Sequence, residues 1–461
     1  MPRPRKTSAT GAAEVFDVNV AIILVISLLV LVCLGVHIAI ALGMTSVLAI
    51  MLVTNFTVAQ KMVASTAYEA LRDYVFAVIP LFMLMGEFIG KSGAVTDVYK
   101  AINRGLKRIP GRLAVATVLG NAIFSFVTGV SIASAAAFSR IAYPEMKRHG
   151  YHRGFALGAV AGSSCLGMLI PPSVLMIVWG LLTEKSIGQI FLAGVLPGFL
   201  LVFLFICYVL GMAIIRPSVV GGGAAALAKA AAEEAEETLD PWAVWTSALG
   251  IIAVVAAVLG GIWFGVFTPT EGAGAGAFIG LVLGLLKGMR TREIIDSIIS
   301  VGRTAAPILL LLVTASLYSR SLAMTGVSNA IQDFFLGSGM GAFLILAAMV
   351  GIWFVLGMVI DSISIMLLTV PIFAPIAEGL GFHPIAFAIV GILAIEAGLL
   401  TPPFGLLVYT VKAAIQEDDD EDVSIMRIFK SSTPYWIVML IGMVAIAVFP
   451  QIATVLPDMA F

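Results

Sequence analysis

The sequence predicts an all-α polytopic membrane protein: inverted repeats of five crossings each, with two re-entrant hairpins and two broken helices. Three observations carry that fold class. Of 461 residues, 60% are hydrophobic and 11% charged, against about 45–50% and about 25% in ordinary globular domains. Apolar runs of about 20 residues, the length needed to cross a bilayer, recur along the chain. The chain also matches itself at a fixed offset. Mean hydropathy is +1.08. Twenty-six basic and 27 acidic residues leave a formal net charge of −1. This composition excludes a soluble enzyme, a disordered chain and a nucleic-acid binder, which would need a basic face. Cys33, Cys165 and Cys207 all lie in apolar runs, so no disulfide framework is expected. Arg3, Arg5 and Lys6 precede an apolar run that outlasts a signal-peptide core, so it is read as the first membrane helix.

Crossings are expected near 18–34, 36–54, 74–91, 155–183, 189–212, 242–263, 266–286, 304–322, 384–414 and 433–455. Two further stretches, about 113–143 and about 341–378, do not fit a simple count. Positive charge flanks the first on both sides: Lys100, Arg104, Lys107, Arg108 and Arg112 before it, Lys147, Arg148 and Arg153 after it. Basic loops favour the cytoplasm, so both ends belong on one face, and the stretch is short for two full crossings. Ser125, Thr128, Gly129, Ser131, Ser134 and Ala135 to Ala137 make it rich in small and hydroxylic residues. A re-entrant hairpin meets these constraints. Non-helical backbone at membrane depth survives only inside protein or beside a wet cavity, which makes the tip a functional candidate.

The self-match has an offset of 231 and runs ungapped from Ser131 to Pro172, with ten of 42 positions identical. Pairs include Ser131/Ser362, Pro144/Pro375, Gly150/Gly381, His152/His383, Gly167/Gly398 and Pro171-Pro172/Pro402-Pro403. The first repeat is 18–215 (hairpin about 113–143, broken helix 155–183). The second is 242–456 (hairpin about 341–378, broken helix 384–414). Five crossings per half is odd, so the second copy is upside down. Charge agrees: the loops 332–341 and 375–384 beside the second hairpin lack Lys and Arg, whereas 287–303 and 416–430 contain basic residues. The same count puts Arg3 to Lys6 outside, against the charge rule. The segment 216–241, with Gly221 to Gly223 and Glu233, Glu234, Glu236 and Glu237, reads as a solvated cytoplasmic linker.

Paired Gly/Pro-interrupted segments in the two halves of an inverted-repeat transporter point to its binding site. Here they are Gly167-Met-Leu-Ile-Pro-Pro-Ser173 and Gly398-Leu-Leu-Thr-Pro-Pro-Phe404. Proline lacks an N–H and clashes with the carbonyl four residues back, so each pair frees carbonyls from helical bonding. Free carbonyls facing a hydroxyl-bearing hairpin tip suit a hard monovalent cation, and the opposite helix half suits an anion. A kinked helix with a packing role is the alternative. Ionisable residues within spans are costly and are functional candidates. Asp361, at the second hairpin's tip, is the first of these, for ion coordination or hairpin gating. Glu396 stands two residues before Gly398. Glu87 and Glu271 lie near span ends, where a helix-end role is favoured, and His37 is read as packed. No metal-ligand cluster, phosphate loop or nucleophile elbow occurs, so no catalytic residue is assigned. Transport is expected to draw on an ion gradient.

Several segments carry a family resemblance: Leu34-Gly-Val-His-Ile-Ala-Ile-Ala-Leu-Gly43, Ile79-Pro-Leu-Phe-Met-Leu-Met-Gly-Glu87 and Ile141-Ala-Tyr-Pro-Glu-Met-Lys-Arg-His-Gly-Tyr151. Leu166 to Ser173, Phe267-Thr-Pro-Thr-Glu-Gly272, Asp361 to Phe373 and Glu396-Ala-Gly-Leu-Leu-Thr-Pro-Pro403 complete the set. Essentially end to end, the chain resembles the large membrane subunit of tripartite ATP-independent periplasmic (TRAP) transporters, the DctM type. The resemblance implies an elevator-type, sodium-coupled importer of organic acids in the bacterial inner membrane. Sodium ions serve as coupling ions and no other cofactor is expected. A periplasmic substrate-binding protein and a small four-helix membrane subunit are the implied partners. Carried over by position, one sodium site uses Ser125 and Thr128 with carbonyls of Gly167, Ile170 and Pro171. The other uses Gly357, Gly398 and Thr401. Substrate contacts fall to Ser131, Ser134, Ser362 and Ser364 between the tips. Phe404 and Leu175 depart from the family pattern, which often has a smaller residue and proline there. A stand-alone sodium–dicarboxylate symporter and a non-transporting membrane subunit are the rival readings.

Overall fold

The protein is described by a computed structural model over residues 18–221, 240–337, 339–416 and 423–460. The basic cluster Arg3 to Lys6 and most of the linker, including its glutamates, lie outside the described residues. Among those residues the fold is helical, and the isolated β contact present is a single bridge between Tyr151 and Val220. Among the described residues, eight helices are long and apolar enough to cross a membrane by length and composition. The chain divides into two compact units, 1–72 with 310–340, and 73–309 with 341–461.

The first unit holds α1 (Val18–Cys33), α2 (Ile38–Val53), α3 (Phe56–Arg72), the end of α14 (Thr291–Met324) and α15 (Val327–Gly337). His37 starts α2, its ring Nδ1 accepting from the Ala39 N–H at 3.3 Å. Ile50, Ala59 and Leu317 form a buried cluster joining α2, α3 and α14. The Arg320 guanidinium pairs with Glu69 and donates to Thr66 Oγ1 at 3.2 Å. A hydropathy scan passes over α3 because Lys61, Glu69 and Arg72 dilute its apolar face.

In the second unit, α4 (Val78–Lys91) follows a 3₁₀ turn capped by Asp73, and α5 (Ala94–Gly105) is amphipathic. Next come α6 (Arg112–Thr128) and α7 (Ser131–Arg148), then α8 (Arg153–Ser164), α9 (Leu166–Leu169) and α10 (Val174–Thr183). The long α11 (Ile187–Ile215) ends this half. The other half opens with α12 (Pro241–Val255), extended through a π turn to Trp263, and α13 (Pro269–Leu286). After α14 it has α16 (Ala342–Gly357), α17 (Ser362–Gly379), α18 (Pro384–Gly398) and α19 (Leu406–Gln416). It closes with α20 (Ile425–Val448) and α21 (Gln451–Ala460).

Adding 231 to the starts of α7 and α8 gives the starts of α17 and α18, so the repeat read from sequence is also a repeat of elements. The same shift lays α3 and α4 together on the single 34-residue α14. Two expected loops are corrected. Thr291 to Arg303 forms the first turns of α14, and Ile425 to Lys430 the first turns of α20. Arg292, Glu293, Asp296 and Arg303 keep the former out of any apolar window, yet helical bonding continues past the hydrophobic stretch. The helices α5, α15 and α21 were likewise too polar or too short for a span count.

Lipid supplies no hydrophobic drive between helices, so close packing of small residues does much of the joining. Gly272, Gly276, Gly280 and Gly284 recur every four residues on α13. A Cβ at Gly276 would lie 2.4 Å from Met85 Sδ on α4. Gly154, Gly158 and Gly162 do the same on α8, where a Cβ at Gly162 would lie 2.1 Å from the Tyr435 ring on α20.

Lys287, at the end of α13, pairs with Asp97 of α5 and donates to Ser247 Oγ of α12 at 2.8 Å. Ser247 also donates to Asp97 at 2.8 Å. The pair is mostly buried, so removing one partner strands the other. Lys287→Met is expected to cost about 1–3 kcal/mol of stability, read as a lower unfolding temperature in detergent. Asp97→Leu in the same chain is expected to recover most of that loss, because two apolar groups leave nothing stranded.

Candidate ion and substrate site

Each broken helix opens where the sequence places a proline pair. Pro171 and Pro172 deprive the carbonyls of Gly167 and Met168 of their helical donors. Ser173 repairs one of them: its hydroxyl donates to the Met168 carbonyl at 2.5 Å and accepts from the Met176 N–H at 3.4 Å. In the second break the Gly398 carbonyl accepts from the Thr401 N–H at 3.0 Å and the Thr401 hydroxyl at 2.6 Å. Both proline pairs are joined by cis peptide bonds.

A hairpin tip lies against each break. Gly129, at φ +61°, ends α6 in the left-handed conformation that glycine favours. A Cβ there would lie 2.3 Å from the Pro172 carbonyl oxygen. The Gly129 carbonyl accepts from the Val174 N–H at 3.2 Å, tying tip to break. The break makes its own close approach, since a Cβ at Gly167 would lie 2.8 Å from Ser131 Cα. The second tip repeats the plan. Gly357 meets Gly398, with a Cβ on either 2.8 Å from the other's Cα, and the Phe404 N–H donates to the Met358 carbonyl at 3.1 Å. Because these breaks are interior to helices that must cross the membrane, tips that touch them end at membrane depth. The hairpins are therefore re-entrant.

The residues carried over for the sodium sites fall on these two junctions. Ser125 and Thr128 are buried on α6, their hydroxyls donating to the carbonyls of Asn121 at 2.6 Å and Phe124 at 3.1 Å. Gly167, Ile170 and Pro171 form the facing break, with Ile170 extended so that its carbonyl leaves the helical ladder. Gly357, Gly398 and Thr401 form the second junction.

The four serines expected between the tips divide three ways. Ser131 and Ser362 converge on Glu396, which is 1% exposed: Ser131 Oγ donates to Oε2 at 2.6 Å and Ser362 Oγ to Oε1 at 2.9 Å. Ser364 instead donates through both its N–H (3.0 Å) and its hydroxyl to Asp361. Ser134 is buried, with a hydroxyl that has no hydrogen-bond partner among the described residues. Asp361 is thus the N-cap of α17, a local role that accounts for a carboxylate at a helix start. Glu271 caps α13, accepting from the Thr268 N–H at 2.8 Å, and Glu87 pairs with Lys91 at 3.1 Å.

Asn121 was not anticipated. Its Nδ2 donates to Ser163 Oγ of α8 at 2.7 Å, while that hydroxyl donates to the Ala159 carbonyl at 2.6 Å. With its proton spent, Ser163 can only accept, which fixes the amide orientation. Asn121 Oδ1 is left buried and without a partner among the described residues, an acceptor one turn from Ser125. The available signal was an amide within an apolar run, four residues before a hydroxyl.

A family model described as "Tripartite ATP-independent periplasmic transporter, DctM component" matches residues 25–452. The chain belongs to the DctM family. It is similar to the C4-dicarboxylate TRAP transporter large permease DctM of Pseudomonas aeruginosa, at 28% identity over 91% of this chain and 94% of that one. It is also similar to the ectoine/5-hydroxyectoine TRAP transporter large permease UehC of Ruegeria pomeroyi, at 29% identity over 88% and 90%. Among solved structures, the YdaH transporter of Alcanivorax borkumensis shares the fold. The TM-score is 0.56 at 14% identity, over 86% of this chain and 88% of that one. This DctM-family chain is therefore a TRAP transporter large permease.

Glycine at the tip can be tested against a neutral position. Gly93 has φ +76° and nothing within 4 Å of where a Cβ would sit, whereas Gly129 has both positive φ and the Pro172 carbonyl. Gly93→Ala is expected to cost about 1 kcal/mol of left-handed strain. Gly129→Ala is expected to lose about 1–3 kcal/mol more through overpacking, measured by thermal unfolding of the purified chain.

Proposed function

We propose that this permease imports an organic acid, a carboxylate such as a C4-dicarboxylate, coupled to sodium and delivered by a periplasmic binding protein. Residues 18–215 and 242–456 act as inverted repeats about the cytoplasmic linker 216–241, in the bacterial inner membrane. A small four-helix membrane subunit completes the assembly. The observation that carries this reading is the doubled junction of hairpin tip and proline break, each lined by oxygen atoms. Carbonyls released at Gly167 to Pro171, with Ser125, Thr128 and the free Asn121 Oδ1, offer one cation an all-oxygen shell. Gly357, Gly398 and Thr401 offer a second.

The starts of α7 and α17 face each other across Glu396, and Ser131, Ser134, Ser362 and Ser364 lie in their first turns. The positive helix ends, with the Ser134 hydroxyl that has no partner among the described residues, suit a carboxylate. Sodium bound at a junction holds tip to break and so favours one hairpin arrangement over another by its differential affinity. An elevator movement of the hairpins and broken helices together preserves both junctions during transport.

Uptake by vesicles containing this chain, the small subunit and the binding protein tests the proposal. Replacing external sodium with potassium is expected to abolish uptake of the bound substrate. Ser125→Ala and Thr401→Ala are expected to raise the sodium concentration for half-maximal uptake by about tenfold each, a loss of about 1.4 kcal/mol. Undiminished uptake in potassium overturns the ion sites. Full-rate uptake of free substrate by this chain alone overturns the tripartite assembly and points to a stand-alone symporter.

A further inference from the structure

Glu396 makes contacts that none of the assigned roles uses. It lies on α18, two residues before Gly398, and its repeat partner 231 positions earlier is Cys165. These two equivalent residues touch, the Cys165 thiol meeting the Glu396 carbonyl at 3.7 Å. Equivalent positions of two copies meet only near the axis that relates them. The carboxylate therefore sits beside that axis, where the first residue of α7 and the first residue of α17 can both reach it. Those residues, Ser131 and Ser362, are themselves repeat partners, and each gives its proton to a different carboxylate oxygen. No cationic side chain pairs with Glu396 among the described residues.

We propose that Glu396 is a positioning residue that makes the two ion sites cooperative. This rests on the sodium reading above. A continuous chain of contacts joins the sites: the Gly167 break packs on Ser131, Ser131 bonds to Glu396, and two residues on Gly398 packs on Gly357. Ser362, at the other tip, closes the link. Ordering the first junction by an ion fixes Ser131, which fixes the carboxylate, which favours the ordered second junction. Spatial contact alone does not demonstrate energetic coupling, so the test measures coupling directly.

Sodium titrations of uptake in the reconstituted three-component system are compared for the native chain, Glu396→Gln and Glu396→Leu. Leucine roughly keeps the volume and removes both acceptors. Glutamine keeps an acceptor for one serine and a donor for the other. A two-site coupled system has a Hill coefficient of up to about 2. It is expected to fall to about 1 in Glu396→Leu, with half-saturation raised at least roughly fivefold, and to be largely retained in Glu396→Gln. Ser131→Ala is expected to lower the coefficient in the native chain and to have no further effect in Glu396→Leu. A native coefficient retained in Glu396→Leu, or additive effects of the two substitutions, overturns the proposal.

Spin labels at Ile132→Cys and Val359→Cys, with Cys33 and Cys207 replaced by serine, report the distance between tips without reference to uptake. The distance distribution is expected to broaden in Glu396→Leu and to stay narrow in Glu396→Gln. Indifference of native uptake to sodium, with broadening still seen, overturns the sodium reading and leaves the mechanical tie standing. An unchanged distribution overturns the tie itself.

Discussion

Backbone groups inside a lipid slab have no water to turn to, and that constraint shapes the rest of this structure. Two prolines in succession release carbonyls in the middle of a crossing helix, and each must find a donor, a protein shelter or an ion. The chain meets the demand with a hairpin folded back onto each break. Ser173 and Thr401 take up part of the load locally. Gly129 and Gly357 let the tips approach until backbone meets backbone. The junctions are consequently dense and oxygen-rich, which are the conditions a dehydrated cation needs.

The two copies have not remained alike. A residue beside a two-fold axis faces its own equivalent, and two carboxylates there would repel one another. One copy supplies Glu396 and the other an uncharged thiol at Cys165. Asp361 caps α17, whereas Val130 leaves α7 without a side-chain cap. Asp73 marks the point where the first copy breaks into α3 and α4, while the second runs on as α14.

Family membership and geometry speak to different levels. The DctM match settles the class of protein over most of the chain. The relatives it resembles are named for chemically different cargoes, so class alone does not select one. What this chain adds is particular: an amide oxygen at Asn121 and a hydroxyl at Ser134 that have no partner among the described residues, and a carboxylate shared by both tips.

Composition and run length were enough to identify a membrane protein, because transfer into lipid is a sum over residues that ignores their partners. The offset of 231 paired Ser131 with Ser362 and Pro171-Pro172 with Pro402-Pro403, since glycine and proline act on the backbone beside them. Amphipathic α3 and α5 escaped the same reading, with polar residues that meet partners far away in sequence, as Glu69 meets Arg320 and Asp97 meets Lys287. Glu396 was visible as a costly charge, but its partners stand 265 and 34 residues away. Asp361 drew attention by position and turned out to cap its own helix. Local chemistry could be read along the chain. Which hydroxyl reaches which carboxylate depended on how the two copies close around their axis, and only the folded structure contains that axis.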